Sequence, residues 1–250
     1  MSSMSIAPRI GAPIHVEGTY NLRSTGGYAA RGGVTRESGL FRSDALHRIG
    51  EPGAQRLVEQ GIVRIIDLRD AEELRIAPSA VPGALVETVH HPIFEGAALP
   101  KGRRNPSLVE VYRVIAVERV AALVGAVRLI ADAPEGGVLV NCTAGKDRTG
   151  MVVATTLTAV GVPREQVIAD YAASSENLSG EWAESMLTAF RARYGEVDDT
   201  VLELVTASPA EFIADALDVI DDTYGSAERM LLGHGIDDDA LSRLQARLVA

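Results

Sequence analysis

The stretch GGVLVNCTAGKDRTGMVVATTLTAV, residues 136–160, decides the fold of this 250-residue chain. Residues 136–141 are mainly apolar and predict a buried strand, whereas the apolar run 149–160 predicts a helix. Residues 142–148 between them predict a tight loop. In this order of strand, loop and helix, the loop lies at the carboxyl end of a sheet strand, where α/β proteins bind their ligands.

The loop contains the only cysteine of the chain, Cys142, and Arg148 follows it after five intervening residues. The thiolate is the nucleophilic form of cysteine, and nearby cations or a helix N-terminus lower the pKa of a thiol. Five residues allow backbone N–H groups to surround a tetrahedral anion, and the planar guanidinium of Arg148 can bind two phosphate oxygens. The spacing therefore predicts phosphoryl transfer to Cys142 and hydrolysis of the phosphocysteine, with no metal and no cofactor.

The remaining loop residues fit the same chemistry. Gly145 permits close backbone approach, and the hydroxyl of Thr149 can donate a hydrogen bond to the sulfur. We expect Lys146 to lie at the rim of the site and to contact the substrate. The predicted phosphate-binding residues are Thr143, Ala144, Gly145, Lys146 and Thr149.

Other functions of the loop are weighed against this one. A nucleotide-binding P-loop is excluded because Val140 stands at its first glycine and Asp147 at its Ser/Thr position. A buried structural thiol fits the polar loop poorly. A rhodanese-like sulfurtransferase and a non-catalytic phosphate-binding module remain as alternatives, and turnover of thiosulfate would distinguish the former.

Expulsion of an alkoxide or phenoxide requires a proton donor. Asp147 is the first candidate, because a carboxylate beside a phosphate dianion holds its proton more tightly. Asp67, at the carboxyl end of the apolar run 62–67, is the second candidate. Its alternative role is an ion pair with Arg69.

Weaker candidates for the acid are Glu95 and the pair His90 and His91. The single tryptophan, Trp182, is not followed by Pro-Asp, so the sequence lacks a Trp-Pro-Asp acid loop. The five histidines lack the spacing of metal ligands, and we expect no metal site.

The rest of the chain predicts an α/β fold, with a central sheet flanked by helices and an all-helical C-terminal part packed on it. Apolar residues recur at helical spacing from Leu108 to Ala131. Further strands are predicted at 15–22, 38–43, 62–69 and 84–92, and further helices at 51–61, 163–176, 181–193, 208–223 and 237–249. We expect one domain over 1–250, with an N-terminal extension at 1–16, a candidate lid region at 92–118 and a helical tail at 177–250. Lys101, Arg103 and Arg104 in the lid region would attract an anionic substrate.

Composition limits the partners of the protein. The net charge of −10 argues against nucleic-acid binding, and no segment approaches the length of an apolar membrane span. One cysteine excludes an internal disulfide, so the fold needs no oxidising compartment. We expect a cytoplasmic monomer, with secretion without a cleavable signal as the alternative.

The loop NCTAGKDRTG, residues 141–150, resembles the signature loop of cysteine-dependent phosphatases, and most closely that of bacterial tyrosine phosphatases. The resemblance extends over about 17–250, through NLRSTGGY (21–28), GLFRSDAL (39–46), IIDLRDAEE (65–73) and GVPREQVIADYAASSENL (161–178). The family includes phosphatases that intracellular pathogens secrete. A fold of the cysteine-phosphatase kind follows from this resemblance.

By position, the resemblance implies that Cys142 is the nucleophile, that Arg148 binds phosphate, and that Asp147 is the acid. Members act on phosphotyrosine and in some cases on phosphoserine, phosphothreonine or phosphoinositides, a breadth associated with the loop Lys-Asp pair, here Lys146 and Asp147. The sequence departs from the family at Asn141, which replaces the usual histidine and is expected to affect the thiolate pKa or the rigidity of the loop. It also departs at Ser24, which replaces an aspartate.

Overall fold

A computed structural model describes residues 10–94, 107–196, 202 and 207–250. Its centre is a five-stranded sheet, and a separate hairpin pairs Ala29–Ala30 (β2) with Gly33–Val34 (β3). In the five-stranded sheet, the edge strand β1 is antiparallel to its neighbour and the other pairs are parallel. Its strands, in spatial order, are Arg23–Ser24 (β1), Leu40–Ser43 (β4), Gly137–Asn141 (β7), Ile62–Asp67 (β5) and Glu87–His90 (β6).

Helices cover both faces of this sheet, and the described residues after β7 are mainly helical, which confirms the predicted fold class. The helices are Glu51–Glu59 (α1), Ala71–Ile76 (α2), Leu108–Arg113 (α3), Val120–Ala131 (α4), Asp147–Ala159 (α5), Arg164–Asn177 (α6), Glu181–Tyr194 (α7), Ala210–Tyr224 (α8), Ala227–Gly233 (α9) and Asp238–Leu248 (α10). A short 3₁₀ helix spans Leu46–Arg48. The sequence did not predict α9, which begins after Gly225, a residue in the left-handed region at φ +84°.

The central strand β7 is buried along its whole length. Val138 and Val140 enter the larger core together with residues of α4 and α5, whereas Leu139 enters the smaller core under α1. Successive side chains of a strand point to opposite faces, so this strand requires a covering layer on each side. Because β4, β5 and β7 are parallel, their carboxyl ends meet at one edge of the sheet.

The predicted strand at 15–22 is wrong. The N–H of Thr19 donates to the carbonyl of Val16 at 3.0 Å, and the chain reverses around Gly18, whose φ is +85°. This turn closes hydrogen bonds locally, so the backbone groups are not available to a neighbouring strand. The segment reaches the sheet only at β1, directly after it.

The apolar spacing from 108 to 131 predicts one long helix, but the structure divides it into α3 and α4. The segment Val114–Glu118 between them is a π-helix, which widens the turn and changes the pairing of its carbonyls. The hydroxyl of Tyr224 donates to the carbonyl of Ala116 in this segment at 3.1 Å. The π-helix therefore interrupts the α-helical pairing between α3 and α4, and Tyr112 of α3 contacts Asp147 at the end of the loop that follows β7.

Both ends of the described chain pack on the body of the protein. The N–H of Gly11 donates to the hydroxyl of Tyr28, and the N–H of Ala250 donates to the carbonyl of Val34 at 2.9 Å. These contacts hold part of the predicted N-terminal extension and the end of the helical tail. The organisation as a single domain over 1–250 stays a prediction.

Candidate active site

The loop after β7 lies where the sequence predicts it, at the carboxyl edge of the parallel strands. Cys142 is the first residue after the strand and is buried, and α5 begins five residues later at Asp147. The thiol and the amino end of the helix therefore face the same space at the edge of the sheet. This arrangement brings the predicted nucleophile and the first turn of α5 together, as the strand–loop–helix pattern predicts.

The loop carbonyls are turned away from that space by donors from other parts of the chain. Asn21 Nδ2 donates to the carbonyls of Ala144 at 2.9 Å and Gly145 at 3.2 Å, and Arg42 donates to the carbonyl of Gly145 at 2.8 Å. Within the described residues, the N–H groups of Thr143, Ala144 and Gly145 find no protein acceptor. A run of free N–H groups beside a helix N-terminus is an anion-binding site.

Gly145 is required by the shape of the loop. Its φ is +65°, in the left-handed region, and a Cβ at this position would lie 2.2 Å from the carbonyl oxygen of Ser43. The loop therefore runs directly against the end of β4. The predicted role of Gly145, close backbone approach, agrees with this contact.

A buried ionic cluster supports the loop from behind. Asp170 on α6 accepts hydrogen bonds from Arg42 at 2.5 Å, from Arg23 at 3.2 Å and from the hydroxyl of Tyr28 at 3.0 Å. Burial favours the neutral acid, but the two guanidinium groups outweigh it and lower the pKa of Asp170. Two cations thus share one carboxylate beneath the loop, which leaves a buried positive charge behind a site for anions.

Arg148 forms a two-pronged ion pair with Glu73 on α2. The two guanidinium nitrogens lie 2.5 Å and 2.7 Å from the two carboxylate oxygens. Burial opposes the charged form of Glu73, but the hydrogen bonds and charge of Arg148 prevail and lower its pKa to about 2. Burial also opposes the charge on Arg148, while Glu73 and Cys142 raise the pKa of the guanidinium above its usual range. Glu73 therefore fixes the orientation of the predicted phosphate-binding arginine.

Sequence reasoning missed Glu73, although it stands in the quoted stretch IIDLRDAEE. Asp70 and Glu73 form a capping box at the start of α2, in which each side chain accepts from the other residue's N–H at 2.8–2.9 Å. The hydroxyl of Thr143 also donates to Glu73. The D-x-x-E pattern is a readable signal for a helix start, but it carries no information about Arg148.

Lys146 and Asp147 form an ion pair at the start of α5. Lys146 is fully buried, and its ammonium lies 2.7 Å from the carbonyl of Ala207 and 3.3 Å from Asp147 Oδ1. The expected position of Lys146 at the rim is therefore wrong, because the side chain turns inward to a backbone acceptor. Asp147 remains partly exposed and accepts a hydrogen bond from the hydroxyl of Tyr112 on α3 at 2.6 Å.

Asp67 ends β5 beside Asn141 of β7, as the parallel register requires. It is buried and forms a two-pronged ion pair with Arg69, whose nitrogens lie 2.9 Å and 2.6 Å from the two carboxylate oxygens. This is the structural role that the sequence offered as the alternative to proton donation. Both oxygens of Asp67 are engaged, whereas Asp147 keeps one oxygen without a donor among the described residues.

Two buried polar side chains, one just before the loop and one in the first turn of α5, have no protein partner within the described part of the chain. Both polar atoms of Asn141, the residue that replaces the family's histidine, lack a hydrogen bond, and so does the hydroxyl of Thr149. The predicted bond from Thr149 to the sulfur is therefore absent in this structure. A thiol is a weak acceptor, so this bond is expected to form with the charged or departing sulfur.

The weaker acid candidates have structural roles or lie elsewhere. The ring of His90 pairs with the carbonyl of Arg69 at 2.7 Å, and the ring of His91 pairs with that of Ala122 at 2.8 Å. Trp182 packs into an apolar cluster that borders the loop. Glu95 and the candidate lid cations Lys101, Arg103 and Arg104 lie outside the described residues.

Two features are not found in the described parts of the chain. No group of three or more His, Cys, Asp or Glu side chains is placed to hold a metal ion. No helix there combines the length and the apolar character that a bilayer span needs.

One family model matches this chain, and three known proteins similar to it are named as phosphatases. A model of the tyrosine phosphatase family matches residues 14–250. The chain is 29% identical to the triple specificity protein phosphatase PtpB of Mycobacterium tuberculosis, with 93% of this chain and 97% of that protein aligned. It is 27% identical to a putative tyrosine-protein phosphatase of Cupriavidus necator, over 92% of this chain and 90% of that protein. It is 30% identical to a tyrosine-protein phosphatase of Nostoc commune, over 59% of this chain and 46% of that protein.

The matched region contains every group that shapes the loop, from Asn21 to Asp170. The thiol, the free N–H groups and the oriented arginine are what cysteine-dependent phosphoryl transfer requires. Sequence similarity and site geometry therefore agree, and this chain belongs to the tyrosine phosphatase family.

Proposed function

We propose that this protein hydrolyses phosphotyrosine through a phosphocysteine on Cys142, and that it also accepts phosphoserine, phosphothreonine and phosphoinositides. The broader specificity is supported by the similarity to PtpB, a triple specificity phosphatase aligned over 97% of its length. It is also supported by the Lys146–Asp147 pair that the resemblance associates with such breadth. The orientation of the loop, with its carbonyls outward and its N–H groups free, is the single observation that carries the phosphatase assignment.

In the first step, the thiolate of Cys142 attacks the phosphorus of the ester. The bond between phosphorus and the leaving oxygen breaks, its electron pair stays on that oxygen, and Asp147 supplies a proton to it. The loop N–H groups and Arg148 bind the three non-bridging oxygens, whose charge they stabilise. Because Glu73 already orients Arg148, the guanidinium needs little rearrangement to bind them.

In the second step, a water molecule attacks the phosphorus of the phosphocysteine. The sulfur–phosphorus bond breaks, the thiolate is restored, and Asp147, now a carboxylate, takes the proton from the water. The hydroxyl of Thr149 is free to donate to the departing sulfur. The products are inorganic phosphate and the free enzyme, so no external reagent is needed.

The covalent step is tested with Cys142→Ser. A serine hydroxyl does not ionise near neutral pH, but the backbone N–H groups are unchanged. We therefore expect the variant to bind orthovanadate and inorganic phosphate while its turnover is lost. Arg148→Lys is the matched comparison and should weaken anion binding, because lysine cannot make the two-pronged contact. Turnover by Cys142→Ser above about one hundredth of the wild-type rate would exclude the covalent mechanism.

The role of Asp147 is tested by its dependence on the leaving group. Phosphotyrosine releases a phenoxide of pKa about 10, which needs a proton, whereas a nitrophenyl ester needs much less help. Asp147→Asn should therefore slow the first substrate far more than the second. Asp67→Asn is run beside it, and we expect it to affect folding stability rather than leaving-group dependence. If only Asp67→Asn shows the dependence, the acid comes from β5 and the assignment to Asp147 is wrong.

Substrate class and location are tested directly. Initial rates on a phosphotyrosine peptide, a phosphoserine peptide and phosphoinositide vesicles, without metal, rank the three activities. Thiosulfate belongs in the same panel, because its turnover would indicate the sulfurtransferase alternative. We propose a cytoplasmic monomer, with secretion without a cleavable signal as the alternative. Light scattering and fractionation of cells test these two assignments.

A further inference from the structure

A buried tyrosine reaches the active-site loop from α3. Tyr112 lies in the last turn of that helix, its side chain is 1% exposed, and its hydroxyl lies 2.6 Å from Asp147 Oδ1. Tyr171 on α6 lies behind it, with the two hydroxyl groups in hydrogen-bond contact and the rings edge to face at 6.1 Å. Sequence reasoning assigned no role to either tyrosine.

The direction of these hydrogen bonds follows from the chemistry of the groups. A carboxylate accepts but cannot donate, so the single proton of Tyr112 must point to Asp147. The hydrogen bond between the tyrosines must then run from the hydroxyl of Tyr171 to the oxygen of Tyr112. Donors aligned in this way polarise one another, and Tyr171 strengthens the bond that Tyr112 makes to the carboxylate.

The carboxyl of Asp147 is held on one side only. Lys146 Nζ and the hydroxyl of Tyr112 both bind Oδ1, whereas Oδ2 receives no donor from the described residues. The charged and titratable groups that face Asp147 are Tyr112, Tyr171, Lys146 and Arg148. No donor of the described residues therefore occupies the position that a proton on Oδ2 would take. The side chain of Asp147 is 24% exposed, so a proton on Oδ2 can reach a substrate.

We propose that Tyr112, supported by Tyr171, is a positioning residue that holds Oδ1 of Asp147, so that Oδ2 carries the proton delivered to the leaving oxygen. The inference rests on the proposed role of Asp147 as the acid. The hydroxyl of Tyr112 bonds Asp147 and Tyr171, and in this proposal it acts only through the carboxyl group of Asp147. Its contribution appears on esters with poor leaving groups and not on activated esters.

The test compares Tyr112→Phe with a matched tyrosine variant. Tyr224→Phe also removes one hydroxyl, partly buried, which bonds the carbonyl of Ala116 in the π-helix after α3, but it does not touch Asp147. We expect Tyr112→Phe to lower kcat on a phosphotyrosine peptide about tenfold, with KM and the rate on nitrophenyl phosphate nearly unchanged. Tyr224→Phe should leave both rates at the wild-type value.

A double-mutant cycle separates this inference from the assignment of the acid. In the Asp147→Asn background, the effect of Tyr112→Phe should vanish, because the group through which it acts is gone. An equal effect of Tyr112→Phe in both backgrounds, or an equal loss on both esters, overturns the positioning role while the acid assignment stands. If Asp147→Asn itself shows no leaving-group dependence, the acid assignment fails and the inference fails with it.

Folding of the variants is checked by circular dichroism and by binding of orthovanadate. If Tyr112→Phe does not fold, Tyr171→Phe replaces it, because this change keeps the bond to Asp147 and removes only its support. We then expect the same selectivity at about threefold. Equal rates of Tyr171→Phe and the wild type on the phosphotyrosine peptide would overturn the inference in that case.

Discussion

Replacing Glu73 by glutamine removes the charge that Arg148 faces, with little change in the size of the side chain. In the folded protein, burial raises the pKa of Glu73, but the hydrogen bonds and the charge of Arg148 lower it more strongly. The net effect brings this pKa from 4.5 down to about 2. A difference of this size corresponds to about 3 kcal/mol of folding free energy at neutral pH. Glutamine keeps one oxygen that can accept from Arg148, while its NH₂ group cannot accept from the other guanidinium nitrogen. We therefore expect Glu73→Gln to lower the free energy of unfolding by about 2–3 kcal/mol at pH 7.

The lowered pKa of Glu73 determines in which direction its stabilising effect changes with pH. Because the pKa of Glu73 is lowered on folding, its contribution is complete above pH 4.5 and is lost as the pH falls towards 2. The wild type loses this stabilisation in acid, whereas the variant has none to lose. The difference between the two proteins should therefore shrink to about 1 kcal/mol at pH 3.

Glu72→Gln is the matched control on the same helix. Glu72 pairs with Arg75 at 2.7 Å, and both side chains are mostly exposed, so we expect no measurable loss of stability at either pH. Urea unfolding of the three proteins at pH 7 and pH 3, followed by circular dichroism, provides the free energies. An equal loss in both variants, or a loss for Glu73→Gln that is as large at pH 3 as at pH 7, would refute this reasoning.

Three further predictions concern the loop, its support and metals. Gly145→Ala should weaken competitive inhibition by inorganic phosphate at least about tenfold, because its methyl group would meet the carbonyl of Ser43; unchanged inhibition contradicts the loop geometry. Asp170→Asn should lower the free energy of unfolding by about 3–5 kcal/mol, since Arg23 and Arg42 lose the charge they share, and thermal unfolding checks this. Activity should survive EDTA in full, and a loss that a divalent ion restores would disprove a metal-free mechanism.

The sequence predicts the central part of the fold because the determining interactions there are local. A run of apolar residues ending at Asn141, a polar loop and a second apolar run indicate strand, loop and helix without any knowledge of distant residues. The C-terminal helices other than α9 are predicted for the same reason, since their apolar spacing is internal to each helix. The Cys142-x5-Arg148 spacing is local too, and it indicates the chemistry.

The support of the loop was not predictable in this way. Asn21 and Arg42 reach carbonyls more than a hundred positions further along the chain, and no spacing within one sequence records such a contact. The inward turn of Lys146 depends on a carbonyl at Ala207, and its sequence neighbours give no sign of it. The segment 15–22 has the composition of a strand, but a turn at Gly18 satisfies its hydrogen bonds first.

The ionic cluster beneath the loop also joins parts of the chain that are synthesised far apart in time. Arg42 leaves the ribosome 103 residues before Gly145, the residue whose carbonyl it holds, and Asp170, which holds Arg42, follows later still. A chain that ends between Arg148 and Asp170 therefore contains Cys142 and Arg148 but lacks the carboxylate that holds Arg42 against the loop. Domains fold as units once their last essential element has emerged. Docking of α6 is therefore a condition for the loop to take the shape described above, and a chain that lacks α6 carries Cys142 without the support of that loop.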